Sequence, residues 1–197
     1  MLITIDGYSC QGKSHFGKQI AERLGLVFFP TGVLVRFVAY HYGLSDIREV
    51  DPVFAIQNAL DILEKTDVSD IISCVALRDP ETEKYLKDIA DHPFIMPRLQ
   101  KKLRAFTEGK NVLLDGRYSF DIFPDAHRKY YFQTSTQNRI NLVAQVKNVS
   151  FEEAQKYIQY RDSFEESVVV PDSVTIIDPF SFSEDELLDF LLDDIQR

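Results

Sequence analysis

The segment Gly7–Ser14 has the residue types and spacing of a phosphate-binding loop. Two glycines, Gly7 and Gly12, allow successive backbone N–H groups to point at one anion, and the start of a following helix adds its positive end. The Lys13 ammonium can reach the β- and γ-phosphates of a nucleotide, and the Ser14 hydroxyl can bind Mg²⁺. We therefore predict a nucleotide phosphate site formed by Gly7, Tyr8, Ser9, Cys10, Gln11, Gly12, Lys13 and Ser14, the pattern G-x-x-x-x-G-K-[ST].

The variable positions of this loop carry larger side chains than such loops usually have. We expect Tyr8, Cys10 and Gln11 to be accommodated with their side chains pointing outward. Cys10 lies beside the predicted helix start, a position that lowers the pKa of a thiol. Two interpretations of Cys10 follow, a loop-filling residue, which we favour, or a nucleophile.

An acidic residue, Asp115, follows another apolar run of the sequence. The segment Asn111–Leu114 reads as a buried strand, and Asp115 ends it immediately before Gly116. In a phosphate-loop enzyme, an aspartate at this place orients a water bound to Mg²⁺. We therefore predict Asp115 as a metal-site residue together with Ser14. The alternative is a turn residue or a helix N-cap.

The elements around the loop form a strand–helix–strand unit. Leu2–Asp6 is a short apolar run typical of a buried parallel strand, and Leu26–Phe29 is a second one, stopped by Pro30. Between them, Lys13–Leu24 carries apolar residues at helical spacing, with Gly25 as a C-cap. Such a unit predicts an α/β fold with a parallel sheet. Further strands are predicted at Asn111–Asp115, Lys129–Phe132 and Val174–Ile177.

Composition excludes several classes of protein. There are 31 acidic residues against 22 Lys and Arg, and the net charge of −9 argues against a protein that coats nucleic acid. No apolar run approaches the roughly 20 residues of a membrane helix, and the first residues read as a strand rather than a signal peptide. Two cysteines are too few for a disulfide framework, and the four histidines lack metal-ligand spacing. We expect a cytoplasmic protein that binds neither nucleic acid polymers nor membranes.

A phosphate loop can serve a GTPase, an ATPase motor or a small-molecule kinase. GTPases usually carry an Asn-Lys-x-Asp segment after a late strand, and this sequence has none. Motor ATPases are usually longer than this chain of 197 residues. Residues 32–106 lack a strand-like run and show helical patterns interrupted at Pro52, Pro80, Pro93 and Pro97. This organisation favours a kinase with a helical insert after its second strand.

Segments outside the phosphate loop resemble the cytidylate kinase family. The phosphate loop itself is shared by many enzymes, whereas Asp-Gly-Arg and Phe-Pro-Asp-Ala segments are characteristic of this family. The resemblance covers nearly the whole chain. It is carried by Ile3–Gly7, by Thr31-Gly32 with Arg36 four residues later, by Leu114–Arg117 and by Phe123–Ala126.

The resemblance implies a P-loop NTPase fold, in which a five-stranded parallel sheet is flanked by helices and carries a helical acceptor-binding insert and a mobile lid. Residues 1–197 then form a single kinase domain, with a core at 1–32, 107–139 and 171–197, an insert at about 33–106 and a lid at about 140–170. It also implies phosphoryl transfer from ATP, with Mg²⁺, to a small nucleotide acceptor, usually CMP or dCMP. Family members are often monomers.

The resemblance also implies roles for individual residues. Arginines that match Arg36 and Arg117 bind the acceptor phosphate, a role that suits the planar and always charged guanidinium, although surface arginines are the alternative. Arg139 resembles an arginine near the donor base, and Arg161 matches the first arginine of the lid. We expect Lys13 and Arg161 to be the catalytic residues. Further acceptor-site positions are Thr31, Gly32 and Tyr118.

Several positions depart from the family pattern. An aspartate that helps to read cytosine is replaced by Tyr118, and two further base-reading positions, usually Ser and Arg, are Lys87 and Met96. Tyr118 can stack on a base or fill the pocket. Each unmatched polar group on a buried base costs ~1–3 kcal/mol, so a pocket without these partners reads cytosine poorly. The base preference therefore stays open.

The predicted lid lacks most of the family's arginines. After Arg161, the matching positions hold Phe164, Glu165 and Val168, and residues 140–170 contain three basic against five acidic side chains. This excess of acidic residues is unfavourable for binding a triphosphate. Two alternatives to an efficient cytidylate kinase therefore stay open. One is a nucleotide-binding module that has lost most of its catalysis. The other is a kinase for a different phosphorylated metabolite.

Overall fold

The computed structural model describes residues 1–90, 92–163 and 168–197. Two of the lid positions named above, Phe164 and Glu165, lie outside the described residues, as does the side chain of Lys87.

The chain forms two compact units. The sheet unit comprises Met1–Pro30 and Gly109–Arg197, and the helical unit comprises Thr31–Glu108. In the described part of the chain, no helix is both long and apolar enough to span a membrane. The strands and α-helices, in chain order, are β1 (Leu2–Asp6), α1 (Lys13–Leu24), β2 (Val27–Pro30), α2 (Gly32–Gly43), α3 (Pro52–Lys65), α4 (Val68–Ser73), α5 (Pro80–Lys84), α6 (Leu86–Ala90), α7 (Ile95–Thr107), β3 (Val112–Asp115), α8 (Ser119–Ile122), β4 (Arg128–Phe132), α9 (Thr136–Lys147), α10 (Phe151–Asp162), β5 (Thr175–Ile177) and α11 (Glu184–Gln196). Short 3₁₀ helices lie at Asp46–Glu49, Val75–Arg78 and Pro179–Ser181.

The strands of the sheet unit form one parallel sheet of five strands, in the order β2-β3-β1-β4-β5. The central strand is β1, in which Ile5 pairs with Asp115 of β3 and with Tyr130 of β4. The predicted five-stranded parallel sheet is therefore confirmed. Because parallel strands end at the same edge, the residues that follow β1, β3 and β4 are brought close together there.

The main core lies between this sheet and the two helices α1 and α11. Alternate strand residues, among them Ile3, Ile5 and Leu113, pack with Phe16 and Ile20 of α1, which is the period-two pattern of a covered sheet face. The C-terminal helix contributes Leu187, Leu188, Leu191 and Ile195. This core fixes the start of α1, and with it the end of the phosphate loop.

Helices α9 and α10 form a hairpin with a small core of its own. Ser135 caps α9 by accepting the N–H of Asn138 at 3.1 Å, and Ser150 forms a capping box with Glu153 at the start of α10. The buried residues of the hairpin are Ile140, Val143, Ala154 and Ile158. The hairpin accounts for most of the segment predicted as a lid.

Two helices of the helical unit, α3 and α5, begin at Asp-Pro pairs of the sequence. Asp51 caps α3 and Asp79 caps α5, each by accepting a backbone N–H, and a proline occupies the first turn of each helix. Pro97 is different, because it lies inside the first turn of α7. At that position the missing N–H has no helical partner to lose, so the interruption predicted at Pro97 is wrong.

Candidate active site

The phosphate loop connects the end of β1 to the start of α1. Gly7 has a φ of +136°, and a Cβ there would lie 2.3 Å from the carbonyl oxygen of Phe132, at the end of β4. Gly12, immediately before α1, has a φ of +82°. Both conformations favour glycine, so the backbone path itself requires the two glycines of the motif.

Lys13 begins α1 and is almost fully buried, with 8% of its surface exposed. Its ammonium donates a hydrogen bond to the carbonyl oxygen of Tyr8, with 2.6 Å between Nζ and the oxygen. The side chain therefore folds back along the loop instead of extending into solvent. This conformation keeps the positive charge beside the loop backbone, where the motif chemistry uses it.

Ser14 and Asp115 are brought into contact although 101 positions separate them. Asp115 ends β3, which neighbours β1, and its Oδ2 accepts a hydrogen bond from the Ser14 hydroxyl. The N-cap of the following helix, α8, is Tyr118 and not Asp115. A hydroxyl and a carboxylate are hard oxygen ligands, and Mg²⁺ takes few protein ligands while phosphate oxygens and water complete its shell. The Ser14–Asp115 pair therefore fits Mg²⁺.

Three arginines from separate elements converge on Ser9 of the loop. Arg117, which follows β3, and Arg161, in α10, donate to the Ser9 hydroxyl with Nη2–Oγ distances of 3.0 and 3.3 Å. Arg139, in α9, donates from Nε to the Ser9 carbonyl oxygen at 2.9 Å. The structure thus brings three of the sequence-predicted arginines to the loop that carries Lys13. Such a concentration of cations suits a phosphate ligand.

Arg139 is also bound by Asp162. Its side chain is 4% exposed, and Nη1 and Nη2 donate to the two Asp162 carboxylate oxygens at 3.0 and 2.5 Å. The guanidinium lies over the Tyr8 ring, 5.4 Å from its centroid. Because Asp162 directly follows Arg161, this ion pair fixes the end of α10 against the loop. The role of Arg139 near the donor base stays a prediction.

Asp6, the last residue of β1, supports the segment that follows Arg117. Its buried carboxylate accepts the backbone N–H groups of Ser119 at 2.8 Å and Phe120 at 3.0 Å, at the start of α8. Burial raises the pKa of Asp6 to about 6, and these hydrogen bonds offset part of the rise. Sequence analysis did not identify Asp6. The available signal was an acidic residue within an apolar, buried strand.

Two expectations for the loop side chains are wrong, namely that Gln11 points outward and that the pKa of the Cys10 thiol is lowered. Gln11 does not point outward, since it is only 1% exposed, and its side-chain oxygen and nitrogen have no hydrogen-bond partner in the described part of the chain. Cys10 has a φ of +62° and packs against the core of the α9–α10 hairpin. Burial raises the pKa of its thiol, although Arg139 and Arg161 act in the opposite direction. Desolvation therefore outweighs the nearby helix start, and a loop-filling role fits Cys10 better than a nucleophile.

In the helical unit, the residues predicted to bind the acceptor lie at the start of α2. Thr31 is the N-cap, Gly32 is the first residue, and Arg36 follows one helical turn later. Arg36 forms an ion pair with Glu83 of α5, with 2.6 Å between Nη2 and Oε1. Sequence analysis did not identify Glu83, because the two residues are 47 positions apart.

The family model for cytidylate kinase matches residues 3–197 of the chain. A cytidylate kinase from Thermodesulfovibrio yellowstonii is 31% identical over 82% of this chain and 80% of its own length. One from Caldanaerobacter subterraneus is 26% identical over 99% of this chain and 94% of its own. The chain belongs to the cytidylate kinase family.

The fold of this cytidylate kinase family member also occurs in a solved gluconokinase. The crystal structure of a gluconokinase from Sinorhizobium meliloti has a TM-score of 0.55 and 15% sequence identity, over 99% of this chain and 91% of that one. At this identity, the similarity concerns the fold alone. That fold is the predicted one, a P-loop NTPase sheet flanked by helices.

Two departures from the cytidylate kinase pattern have defined positions in the structure. Tyr118 is half-buried at the N-cap of α8, directly after Arg117. Val168 lies beyond the end of α10 and therefore does not share a helix face with Arg161. Instead, Val168 packs against the buried cluster of Phe120, Tyr131 and Val174. Val168, which the resemblance matches to an arginine of the family, thus makes a hydrophobic contact.

Proposed function

We propose that this protein is a nucleoside monophosphate kinase that transfers the γ-phosphoryl group of ATP to CMP or dCMP, giving ADP and CDP or dCDP. The observation that carries the proposal is the convergence of Lys13, the Ser14–Asp115 pair and the arginines around Ser9 on one phosphate loop. Family membership supports the acceptor class, since the relatives that the chain matches over most of its length are cytidylate kinases.

The loop and Lys13 bind the donor. Backbone N–H groups of Gly7–Ser14 and the start of α1 face the phosphates, and the Lys13 ammonium neutralises charge on the β- and γ-phosphates. Ser14 and Asp115 would hold Mg²⁺, which would supply positive charge that offsets the charge of the phosphates.

We assign stabilisation of the transferring phosphoryl group to Lys13 and Arg161. An oxygen of the acceptor phosphate forms a bond to the γ-phosphorus, and the bond to the bridging β–γ oxygen breaks, with ADP leaving with the electron pair. Negative charge on the transferred group is stabilised by cations that are already in place. Lys13 and Arg161 are therefore the proposed catalytic residues. Arg139 acts as a positioning residue, because Asp162 couples it to the end of α10.

As the family resemblance implies, we assign Arg36 and Arg117 to the acceptor phosphate. Thr31 and Gly32 complete the phosphate-binding positions on α2. Tyr118 stands where the family carries a base-reading aspartate, and its ring offers stacking in place of a charged hydrogen-bond partner. The assay below therefore compares the rates of turnover with acceptors that carry different bases.

We further propose that residues 140–170 act as the lid and residues 33–106 as the acceptor-binding insert. The α9–α10 hairpin supports the first assignment, since it carries Arg139 and Arg161 and packs against Cys10 of the loop. A monomer in the cytoplasm is the proposed state, by analogy with the family. The free cysteines Cys10 and Cys74 suit such a reducing compartment.

A coupled assay of ADP release with CMP, dCMP, UMP, AMP and GMP tests the proposed function. We expect turnover to be fastest with CMP or dCMP, to stop when Mg²⁺ is chelated and to return when it is restored. Turnover only with UMP, AMP or GMP would show that the acceptor is not a cytidine nucleotide. Tight ATP binding without turnover on any of the five nucleotides would reject the kinase and favour a binding module.

A further inference from the structure

We propose that Glu83 sets the affinity for the acceptor by occupying Arg36, so that the acceptor phosphate must displace a carboxylate from the guanidinium. This inference rests on the proposed function, in which Arg36 binds that phosphate. The Arg36–Glu83 pair would make the site selective among anions, because Arg36 becomes available only to an anion that competes successfully with a carboxylate. A dianionic phosphate monoester is such an anion.

The contact between the two residues is short and, among the described residues, joins Glu83 to one nitrogen of the guanidinium. Nη2 of Arg36 lies 2.6 Å from Oε1 of Glu83, and the side chains are 25% and 27% exposed. A guanidinium has five N–H donors in a planar fork, and its strongest arrangement with an anion is bidentate. The Arg36–Glu83 contact therefore holds the guanidinium in one direction without using its full binding capacity.

The backbone of Glu83 is fixed by its neighbours in α5. Asp79 accepts the N–H of Glu81 at 2.9 Å, and the buried Thr82 donates from its hydroxyl to the Ala76 carbonyl at 3.3 Å. On the other side of Glu83, the Tyr85 ring packs so closely on α2 that a Cβ at Gly43 would lie 2.6 Å from it. With both flanks anchored, the carboxylate stays within reach of Arg36 whether or not the acceptor is bound.

Charge explains why this carboxylate weakens acceptor binding. A phosphate monoester carries close to two negative charges at neutral pH, because its second pKa is about 6. When it binds Arg36, it approaches a carboxylate whose backbone cannot withdraw, and like charges this close repel each other. The acceptor binding energy is therefore reduced by the lost Arg36–Glu83 contact and by this repulsion.

The test compares Glu83→Gln with Glu81→Gln, a matched control on the same helix. Glu81 contacts Lys84 at 2.5 Å on an exposed face, so both variants remove one negative charge from α5. We expect Glu83→Gln to lower the KM for CMP about twofold to fivefold, the range for a partly exposed charge pair. The KM for ATP stays constant, and Glu81→Gln changes neither value. An increase in the KM for CMP in Glu83→Gln, or no change, overturns the proposal.

Inorganic phosphate provides a second readout that does not depend on turnover. Its affinity is measured by calorimetry for the unsubstituted protein and Glu83→Gln, and again with Arg36→Ala added to each, so that binding at the phosphate loop cancels. We expect Glu83→Gln to tighten phosphate binding only when Arg36 is present. Equal tightening without Arg36 would show a general charge effect and reject the proposal. If the unsubstituted protein turns over no nucleotide, the proposed function fails, while this measurement still decides the inference.

Discussion

Two arginine–carboxylate pairs, one in each unit, use the same chemistry in different surroundings. In the sheet unit, Arg139 binds both oxygens of Asp162, its side chain is 4% exposed, and Nε is engaged by Ser9. In the helical unit, Arg36 binds one oxygen of Glu83, and both side chains are about a quarter exposed.

Access to water decides what each pair can do. Removing one partner from a buried pair leaves a charge without solvent or counter-charge, which is costly. A partly exposed pair contributes little, because water or another anion can replace either partner. We therefore expect Arg139 to remain bound to Asp162 during turnover and Arg36 to exchange its carboxylate for the acceptor phosphate. The arginine with the more complete contacts is the less suited to binding a ligand.

The largest expected effect is the loss of turnover when Lys13 is replaced, and it sets the scale for the effects at the two arginine pairs. In Lys13→Ala we expect kcat to fall on the order of 10²–10³-fold, the loss measured when one transition-state donor is removed. The thermal midpoint stays nearly constant, because alanine is a good helix former at this position. The matched control is Lys18→Ala on the exposed face of the same helix. ADP release and thermal melts check both values, and unchanged turnover would show that this loop has been wrongly assigned.

Breaking the buried pair has the next largest effect. Asp162→Asn keeps the shape but removes the charge that faces Arg139. We expect a loss of about 2–3 kcal/mol in the free energy of unfolding, less than for a fully buried pair because Asp162 is 35% exposed. The control is Glu152→Gln, which contacts Lys156 on the exposed face of the same helix, and which we expect to cost under about 0.5 kcal/mol. Urea unfolding measures both, and equal losses would contradict the distinction between the pairs.

The sequence predicted the local parts of this architecture well. The helix predicted over Lys13–Leu24 has those limits in the structure, and the predicted parallel strands form the sheet. These features depend on short apolar runs, on helical spacing and on glycine, all of which act within a few residues. Membership of the cytidylate kinase family was also predicted from motifs that are contiguous in the chain, and the family match confirms it.

Contacts between distant residues could not be predicted in the same way. Glu83 and Asp162 look like ordinary acidic residues in the sequence, and their partners become visible only when the chain has folded. The buried side chain of Gln11 was missed because its burial depends on how the loop folds, which brings its Oε1 to 2.8 Å from the position of a Cβ at Gly7. The packing of Val168 against Phe120 and Tyr131 was missed for a similar reason, since these residues are far from it in the sequence.

Asp6 extends the comparison to a buried carboxylate that is held by backbone N–H groups. Its pKa is raised from 3.8 to about 6 in the folded state, so the folded chain takes up this proton first as the pH falls. The contribution of protonated Asp6 to the free energy of unfolding is therefore fully present below the unfolded pKa and is lost as the pH rises through about 6. Relative to Asp6→Asn, which has no such titration, we expect the protein to lose about 2 kcal/mol between about pH 4.5 and about pH 7.

Urea unfolding of both proteins across this range measures the difference, and the comparison cancels the other acidic groups. Equal pH dependence of the two proteins, or a loss in the opposite direction, would contradict a raised pKa at Asp6.

The arginines assigned to the acceptor come next in size. We expect Arg36→Ala and Arg117→Ala each to raise the KM for CMP about tenfold, which corresponds to ~1.4 kcal/mol of lost binding. The KM for ATP changes less than threefold in Arg36→Ala, because Arg36 lies outside the phosphate loop. Initial rates with one substrate varied at a time separate the two constants. A loss of ATP affinity with the KM for CMP intact would reverse the assignment.

The smallest expected effect is on stability and returns to the Arg36–Glu83 pair. In Glu83→Gln we expect the free energy of unfolding to change by less than about 1 kcal/mol, because each side chain is about a quarter exposed and water can solvate Arg36 when the charge is removed. The glutamine also keeps an oxygen that can accept from Nη2. Urea unfolding beside Asp162→Asn makes the measurement, with Glu81→Gln as the control for charge on α5. If Glu83→Gln cost as much as Asp162→Asn, the pair would be a fixed part of the fold. An exchangeable pair must combine this small cost with the lower KM for CMP, since a residue that only positioned Arg36 would raise that KM.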